Sequence, residues 1–331
     1  MGYVYYGAMG FGASTQTIVG ALLRMRLSGK RAPEEPTKVA QFNMLTHYAH
    51  HDEEYLITGC LGSGGFGSVW KARHRRTGDC IALKVLVPRR ADSCWFETRR
   101  ATAQGEGHIL PKLDHEHIIR FLFSSGWDTN RVVIGLELMD GSLKTLARSA
   151  PSPLPRNLVR RVLHQMLQAL DHLASLGLVH RDVKPDNILY TTTCSLRSSY
   201  PGVLAVSCYH FRLGDFGLCE FESNQPEHCG TFGYRAPEAY GSGYSSHKSD
   251  VWALYVTVLW LLDLDNFRHK MAGWGNIQRE KKIHGAIGKL AHHEQVFEFR
   301  GMGEFSPEAR MTARDVLDEC FGGEGVAERW E

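Results

Sequence analysis

The stretch His180-Arg181-Asp182-Val183-Lys184-Pro185-Asp186-Asn187 puts an acid, a base and an amide within six positions. Apolar residues flank it, Leu176 to Val179 before and Ile188 to Tyr190 after. A polar knot between buried segments is costly unless its charges are used. The residue types suit one use. Asp182 can take a proton from a hydroxyl, Lys184 can steady a phosphate, and Asn187 can hold a metal ion.

Two upstream stretches can serve the same chemistry. Leu61-Gly62-Ser63-Gly64-Gly65-Phe66-Gly67-Ser68-Val69 spaces glycines as G-x-G-x-x-G. Without side chains in the way, backbone amides can approach phosphate oxygens. The pattern also marks dinucleotide-binding turns, but those lead into a helix. Here it leads into Ser68-Val69-Trp70-Lys71-Ala72, which reads as a strand, as does Tyr55-Leu56-Ile57 before it. Cys80 to Leu86 is an apolar strand holding Lys84, and a buried lysine needs an anionic partner. Downstream, Arg212-Leu213-Gly214-Asp215-Phe216-Gly217 sets a carboxylate after an apolar strand.

These motifs resemble those of the eukaryotic protein kinases, in the family's order. His180 to Asn187 resembles H-R-D-x-x-x-x-N, and Asp215-Phe216-Gly217 resembles D-F-G, 33 residues after Asp182. Gly230-Thr231-Phe232-Gly233-Tyr234-Arg235-Ala236-Pro237-Glu238 resembles G-T-x-x-Y-x-A-P-E, the peptide-docking segment that small-molecule kinases lack. The resemblance covers roughly residues 55–320. It implies an α+β fold of two lobes, a small antiparallel β-sheet lobe with one main helix and a larger, mainly helical lobe. The expected boundaries are 1–50 for an extension, 51–137 for the small lobe, 138–141 for the hinge, 142–320 for the large lobe and 321–331 for a tail.

The resemblance also implies roles. ATP and Mg²⁺ are the expected cofactors. Leu61, Gly62, Ser63, Gly64, Gly65, Phe66, Gly67, Val69, Ala82, Lys84, Glu106, Leu136, Glu137, Met139 and Leu189 are expected to bind ATP, with the backbone of Glu137 and Met139 on the adenine. Asp182, Lys184, Asn187 and Thr231 are the expected catalytic set, and Asn187 and Asp215 the metal ligands. Thr231 is expected to bond Asp182 and Lys184. Glu238, Arg310 and Asp250 are expected to be structural, Glu238 pairing with Arg310 and Asp250 anchoring the catalytic-loop backbone. Arg181 would receive a phosphate on Ser223, with Thr231 the second candidate, or be served without modification by Glu220, Glu222 or Glu227. Lys184 and Thr231 resemble the serine/threonine branch, so the implied substrate is a protein serine or threonine. The alternative is a weakly catalytic scaffold that binds nucleotide.

The positioning elements are uneven. Lys84 needs a glutamate on the next helix. Glu106 fits, since Ile109, Leu110, Leu113 and the run His115 to Phe121 follow it in the family's phase. Glu97 lies nine residues too early. Yet Gly105 and Gly107 flank Glu106 and Pro111 follows, so this helix is expected to be weak; each glycine costs about 1 kcal/mol relative to alanine. Arg131 to Met139 is a buried strand. Leu158, Val159, Val162, Leu163, Met166, Leu167, Leu170 and Leu173 keep helical spacing and form core. Residues 191–209 look like an insertion between two short strands. Lys248 opens an apolar helix to Leu262, with Tyr255 where the family has glycine. Residues 264–305 are assigned only helix.

Composition excludes other classes. The chain has 331 residues, 43% of them apolar, enough for a full core. A net charge of +2 does not call for nucleic acid. The eight cysteines show neither C-x-x-C nor zinc spacing, which favours a reducing compartment, cytoplasm or nucleus, and no structural metal. No run reaches the roughly eighteen apolar residues of a membrane helix. The positive charges Arg24, Arg26, Lys30 and Arg31 follow the apolar part, unlike a signal peptide, and the lack of acids in residues 1–33 echoes an organellar presequence, to which a loose extension is preferred. Gly2 lacks the Ser or Thr that myristoylation wants at position six.

Overall fold

The structure is a computed structural model that describes residues 54–64, 67–86, 105–127, 132–150, 153–193, 208–222, 229–241, 244–273 and 279–327. Glu97, Ser223, Glu227, Gly65, Phe66 and the extension 1–50 lie outside the described residues.

Five antiparallel strands form the small lobe: β1 Tyr55–Gly64, β2 Gly67–His74, β3 Cys80–Leu86, β4 Phe121–Ser125 and β5 Val132–Glu137, in the order β1-β2-β3-β5-β4. The glycine stretch is a hairpin between β1 and β2, not a turn into a helix. Strand β1 is longer than Tyr55–Ile57 because the glycine stretch itself stays extended, with irregular pairing at Ile57/Gly59 and Cys60/Gly62. Gly67 has φ 127°, and a Cβ there would meet the Val85 carbonyl oxygen at 2.5 Å. The backbone of β2 can lie this close to β3 only because residue 67 is glycine.

The chain leaves β5 through residues 138–140 into β6 Gly141–Ser142 and helix α1 Leu143–Ser149, which Ser142 and Thr145 cap reciprocally. Helix α2 Arg156–Ser175 buries every apolar position that the spacing predicted. Gly177, at φ 67°, turns the chain out of it. Strand β7 Leu178–Val179 leads into the polar stretch 180–187. Strands β8 Ile188–Thr192 and β9 Tyr209–Leu213 pair antiparallel on either side of residues 194–207, and β10 Glu220–Phe221 pairs with β7. Cys208 is disulfide-bonded, which its spacing did not signal and which departs from a wholly reduced set of thiols.

Helix α3 His247–Leu262 is buried all round and forms the centre of the large lobe. Tyr255 is fully buried there, its ring filling the room left by the missing side chain of Gly303. Its hydroxyl has no hydrogen-bond partner among the described residues, and burial pushes its pKa up. Tyr255→Phe keeps the ring and removes the orphan donor. It is expected to raise unfolding stability by about 1 kcal/mol. An unchanged or lower urea midpoint would contradict that expectation.

Helices α4 Phe267–Gly273, α5 Arg279–Leu290 and α6 Ala313–Phe321 complete the lobe. Helix α6 runs through Phe321, and the residues beyond it fold onto α2. There Asp171 accepts from the Ala327 amide at 2.8 Å and from Arg314, and His164 meets the Glu324 carbonyl at 3.1 Å. Among the described residues no helix is long and apolar enough to cross a membrane.

Four imidazoles line up between the lobes: His172 on α2, His115 and His117 on the loop before β4, and His210 on β9. Successive ring centroids are 4.9, 5.8 and 4.8 Å apart. Burial pushes His115 and His117 down to about 4. His117 still donates to the Phe211 carbonyl at 3.0 Å. The His115 and His117 rings therefore stay neutral in the folded chain down to about 4, whereas an unfolded histidine protonates near about 6.5. Between those values the unfolded chain binds more protons, so their contribution is lost as pH falls through the window. Asp250, pushed up to about 7 by burial, works in the opposite sense. His117→Asn keeps a donor for Phe211 without a titrating ring. Its urea midpoint is expected to fall less than wild type between pH 7 and pH 5. Parallel falls would contradict this assignment.

Candidate active site

Strand β3 delivers Lys84 in register with Val69 on β2 and Ile134 on β5, while Ala82 faces Leu136. Residues 105–109 are helical and run into a tight turn at Leu110–Lys112. That segment brings Glu106 to Lys84, with Nζ to Oε2 at 2.5 Å. The same Nζ meets Asp215 Oδ1 at 2.7 Å, so one cation sits between two carboxylates from distant parts of the chain. Burial alone would lower the lysine, but Asp215 and Glu106 outweigh it and hold it above its ordinary value. Asp215 is desolvated too, yet Lys84 keeps its carboxyl below the usual range. Glu106, more deeply buried, is pushed up.

The polar stretch after β7 is fixed from below by Asp250, whose two oxygens accept from the backbone amides of His180 at 2.7 Å and Arg181 at 2.8 Å. Those bonds hold Arg181 at φ 66°, a left-handed conformation that a side chain resists. His180 is fully buried and burial lowers it to about 4. Its Nε2 donates to the Gly214 carbonyl at 3.2 Å and its Nδ1 accepts from the Asp182 amide at 3.3 Å. It therefore ties the Asp182 loop to the Asp215 loop. The sequence reading gave His180 no role of its own, although it opens the motif.

Asp182 accepts at both carboxylate oxygens. Thr231 donates to Oδ1 from its amide at 3.0 Å and its hydroxyl at 2.5 Å. Lys184 donates to Oδ2 at 2.6 Å and Asn187 at 3.0 Å. Lys184 also reaches the Thr231 hydroxyl at 2.6 Å. Gly230 makes this approach possible, since a Cβ there would fall 2.5 Å from the Arg181 carbonyl oxygen.

The donor set fits a magnesium ion. The Asn187 Nδ2 is spent on Asp182, which leaves its amide oxygen as the donor to a cation. The Gly214 amide donates to the Asn187 carbonyl at 2.8 Å and holds the Asn187 and Asp215 backbones together. Asp215 is 31% exposed at its side chain. One carboxylate and one amide oxygen, completed by phosphates and water, suit Mg²⁺. Among the described residues no cluster of three or more His, Cys, Asp or Glu is arranged for a metal.

Other expected residues are placed as follows. Leu61 is half exposed at the end of β1, and Met139 is buried in the connection after β5. The Glu137 carboxylate bonds Arg212 and the Arg120 amide, both at 2.6 Å. Leu189 packs against Gly214, where a Cβ would meet its Cδ1 at 3.0 Å. Glu238 meets Arg310 through both oxygens, at 2.7 and 3.0 Å. Although burial opposes it, Arg310 holds the Glu238 carboxyl below its ordinary value.

Glu220 and Glu222 do not serve Arg181. Glu220 accepts from the neighbouring Phe221 amide. Glu222 accepts from Tyr244 at 3.2 Å and faces His247 at 3.4 Å. Arg181 donates from Nε to the Leu218 carbonyl at 2.6 Å, while its buried Nη1 has no partner among the described residues.

Comparison with known proteins agrees with this arrangement. The family described as protein kinase domain matches residues 55–321. Serine/threonine-protein kinase GE16371 of Drosophila yakuba is 31% identical over 284 residues, covering 82% of this chain and 35% of its own. Serine/threonine-protein kinase srk1 of Schizosaccharomyces pombe is 30% identical over 231 residues, 61% of this chain and 39% of its own. CBL-interacting serine/threonine-protein kinase 20 of Arabidopsis thaliana is 28% identical over 216 residues, 63% of this chain and 45% of its own. The chain spans about a third of the length of the first of these relatives. With the matched span, the β-sheet lobe and the helical lobe in agreement, the chain belongs to the protein kinase domain family.

Proposed function

We propose that the chain transfers the γ-phosphoryl group of Mg-ATP to a serine or threonine hydroxyl of a protein. The observation that carries this reading is the Asp182 carboxylate, held at both oxygens by Thr231, Lys184 and Asn187. A carboxylate so oriented can align a hydroxyl and take its proton as the new P–O bond forms and the bond from the γ-phosphorus to the bridging oxygen breaks, releasing ADP. Lys184, beside it, offsets charge on the moving phosphoryl group. Lys84, steadied by Glu106, grips the α- and β-phosphates, and the glycine hairpin covers them. The backbone of Glu137 and Met139 would hold the adenine between Val69, Ala82, Leu136 and Leu189. Asp215 and Asn187 would hold Mg²⁺, which when bound neutralises the β- and γ-phosphates. The excess of two carboxylates over Lys84 supports a second cation there.

Relatives named as serine/threonine kinases support that branch. That Arg181 Nη1 has no partner among the described residues supports a regulatory phosphate on Ser223. The full chain would be incubated with γ-labelled ATP and Mg²⁺, alone and with a basic protein acceptor. Phosphoamino-acid analysis is expected to find label on serine and threonine. Label on tyrosine, or none from a chain that binds nucleotide, would contradict the reading; the second result would favour a scaffold.

A further inference from the structure

The segment that carries Glu106 is poorly made by its own sequence. Gly105 and Gly107 flank the glutamate, and Pro111 sits in the turn that follows. Yet Glu106 is only 1% exposed and closed onto Lys84. A helix this weak needs support from outside, and Trp127 supplies it. A Cβ at Gly107 would lie 2.5 Å from Trp127 Cζ2 and 2.9 Å from Cη2, so the indole rests directly on the helix backbone. The ring also stacks on His108, with centroids 6.4 Å apart and planes at 12°. Its Nε1 donates to Ser124 at 3.1 Å, and Gly126 at φ 80° turns the chain just before it. The indole is thus fixed to the end of β4 on one side and laid against residue 107 on the other. Gly105 is different: among the described residues a Cβ there would meet nothing within 4 Å.

We propose that Trp127 is a positioning residue, a clamp that holds Glu106 against Lys84 by pressing on the helix where Gly107 leaves room. The proposal rests on the role given above to the Lys84–Glu106 pair. It explains why a glycine stands inside a segment whose order the reaction needs. Gly107 gives up helix propensity in exchange for contact with a rigid ring from the sheet.

The two glycines make the test. Helix propensity alone predicts that alanine at either position orders the segment. The clamp predicts opposite results. In the full chain, Gly105→Ala is expected to slow amide exchange across 105–113 and to keep or raise phosphoryl transfer. Gly107→Ala is expected to displace the indole, speed that exchange and lower kcat/KM on the order of tenfold to a hundredfold. Trp127→Leu is expected to act like Gly107→Ala, and Trp127→Phe to recover part of the loss. In a Glu106→Gln background, Trp127→Leu is expected to add little further loss of activity. Slower exchange in both alanine variants would overturn the clamp. Equal activity losses from Trp127→Leu in both backgrounds would also overturn it, reducing Trp127 to general packing. Amide exchange needs no turnover, so a wild type that transfers no phosphate would defeat the proposed function while exchange still decided the clamp.

Discussion

Asp182→Asn is expected to slow phosphoryl transfer by roughly a thousandfold or more while Mg-ATP binding stays close to wild type. Two losses combine. The base disappears, and so does an acceptor for four donors. Thr231 donates to one oxygen from its amide and hydroxyl, and Lys184 and Asn187 donate to the other. An amide can offer its oxygen to only one of these sides. Its NH₂ must then face the donors on the other side, which disturbs either Thr231 or the pair Lys184 and Asn187. Rapid-quench single-turnover measurement separates this from binding. A loss smaller than about tenfold would be too little for a positioned general base, which typically contributes a hundredfold or more.

The second large effect is on stability. Arg310→Leu is expected to cost about 3–5 kcal/mol, the range for breaking a buried ion pair from one side. Arg310 is 1% exposed and bonds both oxygens of Glu238. It also donates to the carbonyls of Glu304, Lys248 and Phe305 and lies 5.1 Å over the Trp252 ring. Leucine would fill much of the volume but would take the guanidinium away from the Glu238 carboxylate, which keeps the Ser249 hydroxyl at 2.8 Å, and would remove the N–H groups offered to three carbonyls. Arg310→Lys is expected to recover little, because an ammonium cannot make the two-pronged contact. Urea unfolding measures both. A loss of less than about 1 kcal/mol, the value of an exposed pair, would contradict this account of the buried pair.

Sequence disclosed most where function forces several unusual residues into a short stretch. The polar loop 180–187 and the glycine hairpin could be read directly, since each carries its local geometry in consecutive residues. Glu106 could be chosen over Glu97 by the apolar phase that follows it, and it is Glu106 that meets Lys84. What stayed hidden depends on partners distant in the chain. Nothing near Gly107 names Trp127, and nothing near Tyr255 names Gly303. The histidine row is assembled from three separate segments, so its spacing in sequence carries no period. Glu222 looked available to Arg181 because the two belong to one functional region. The fold instead gives it Tyr244 and His247, residues that follow the docking segment.

The proposed phosphoryl transfer is tested most directly by single-turnover transfer from γ-labelled Mg-ATP, comparing wild type with Lys84→Met at saturating nucleotide. The proposed chemistry predicts transfer by wild type and loss on the order of a thousandfold in Lys84→Met, with both proteins purified identically. Equal transfer by the two, or none from wild type at any nucleotide concentration, would contradict it.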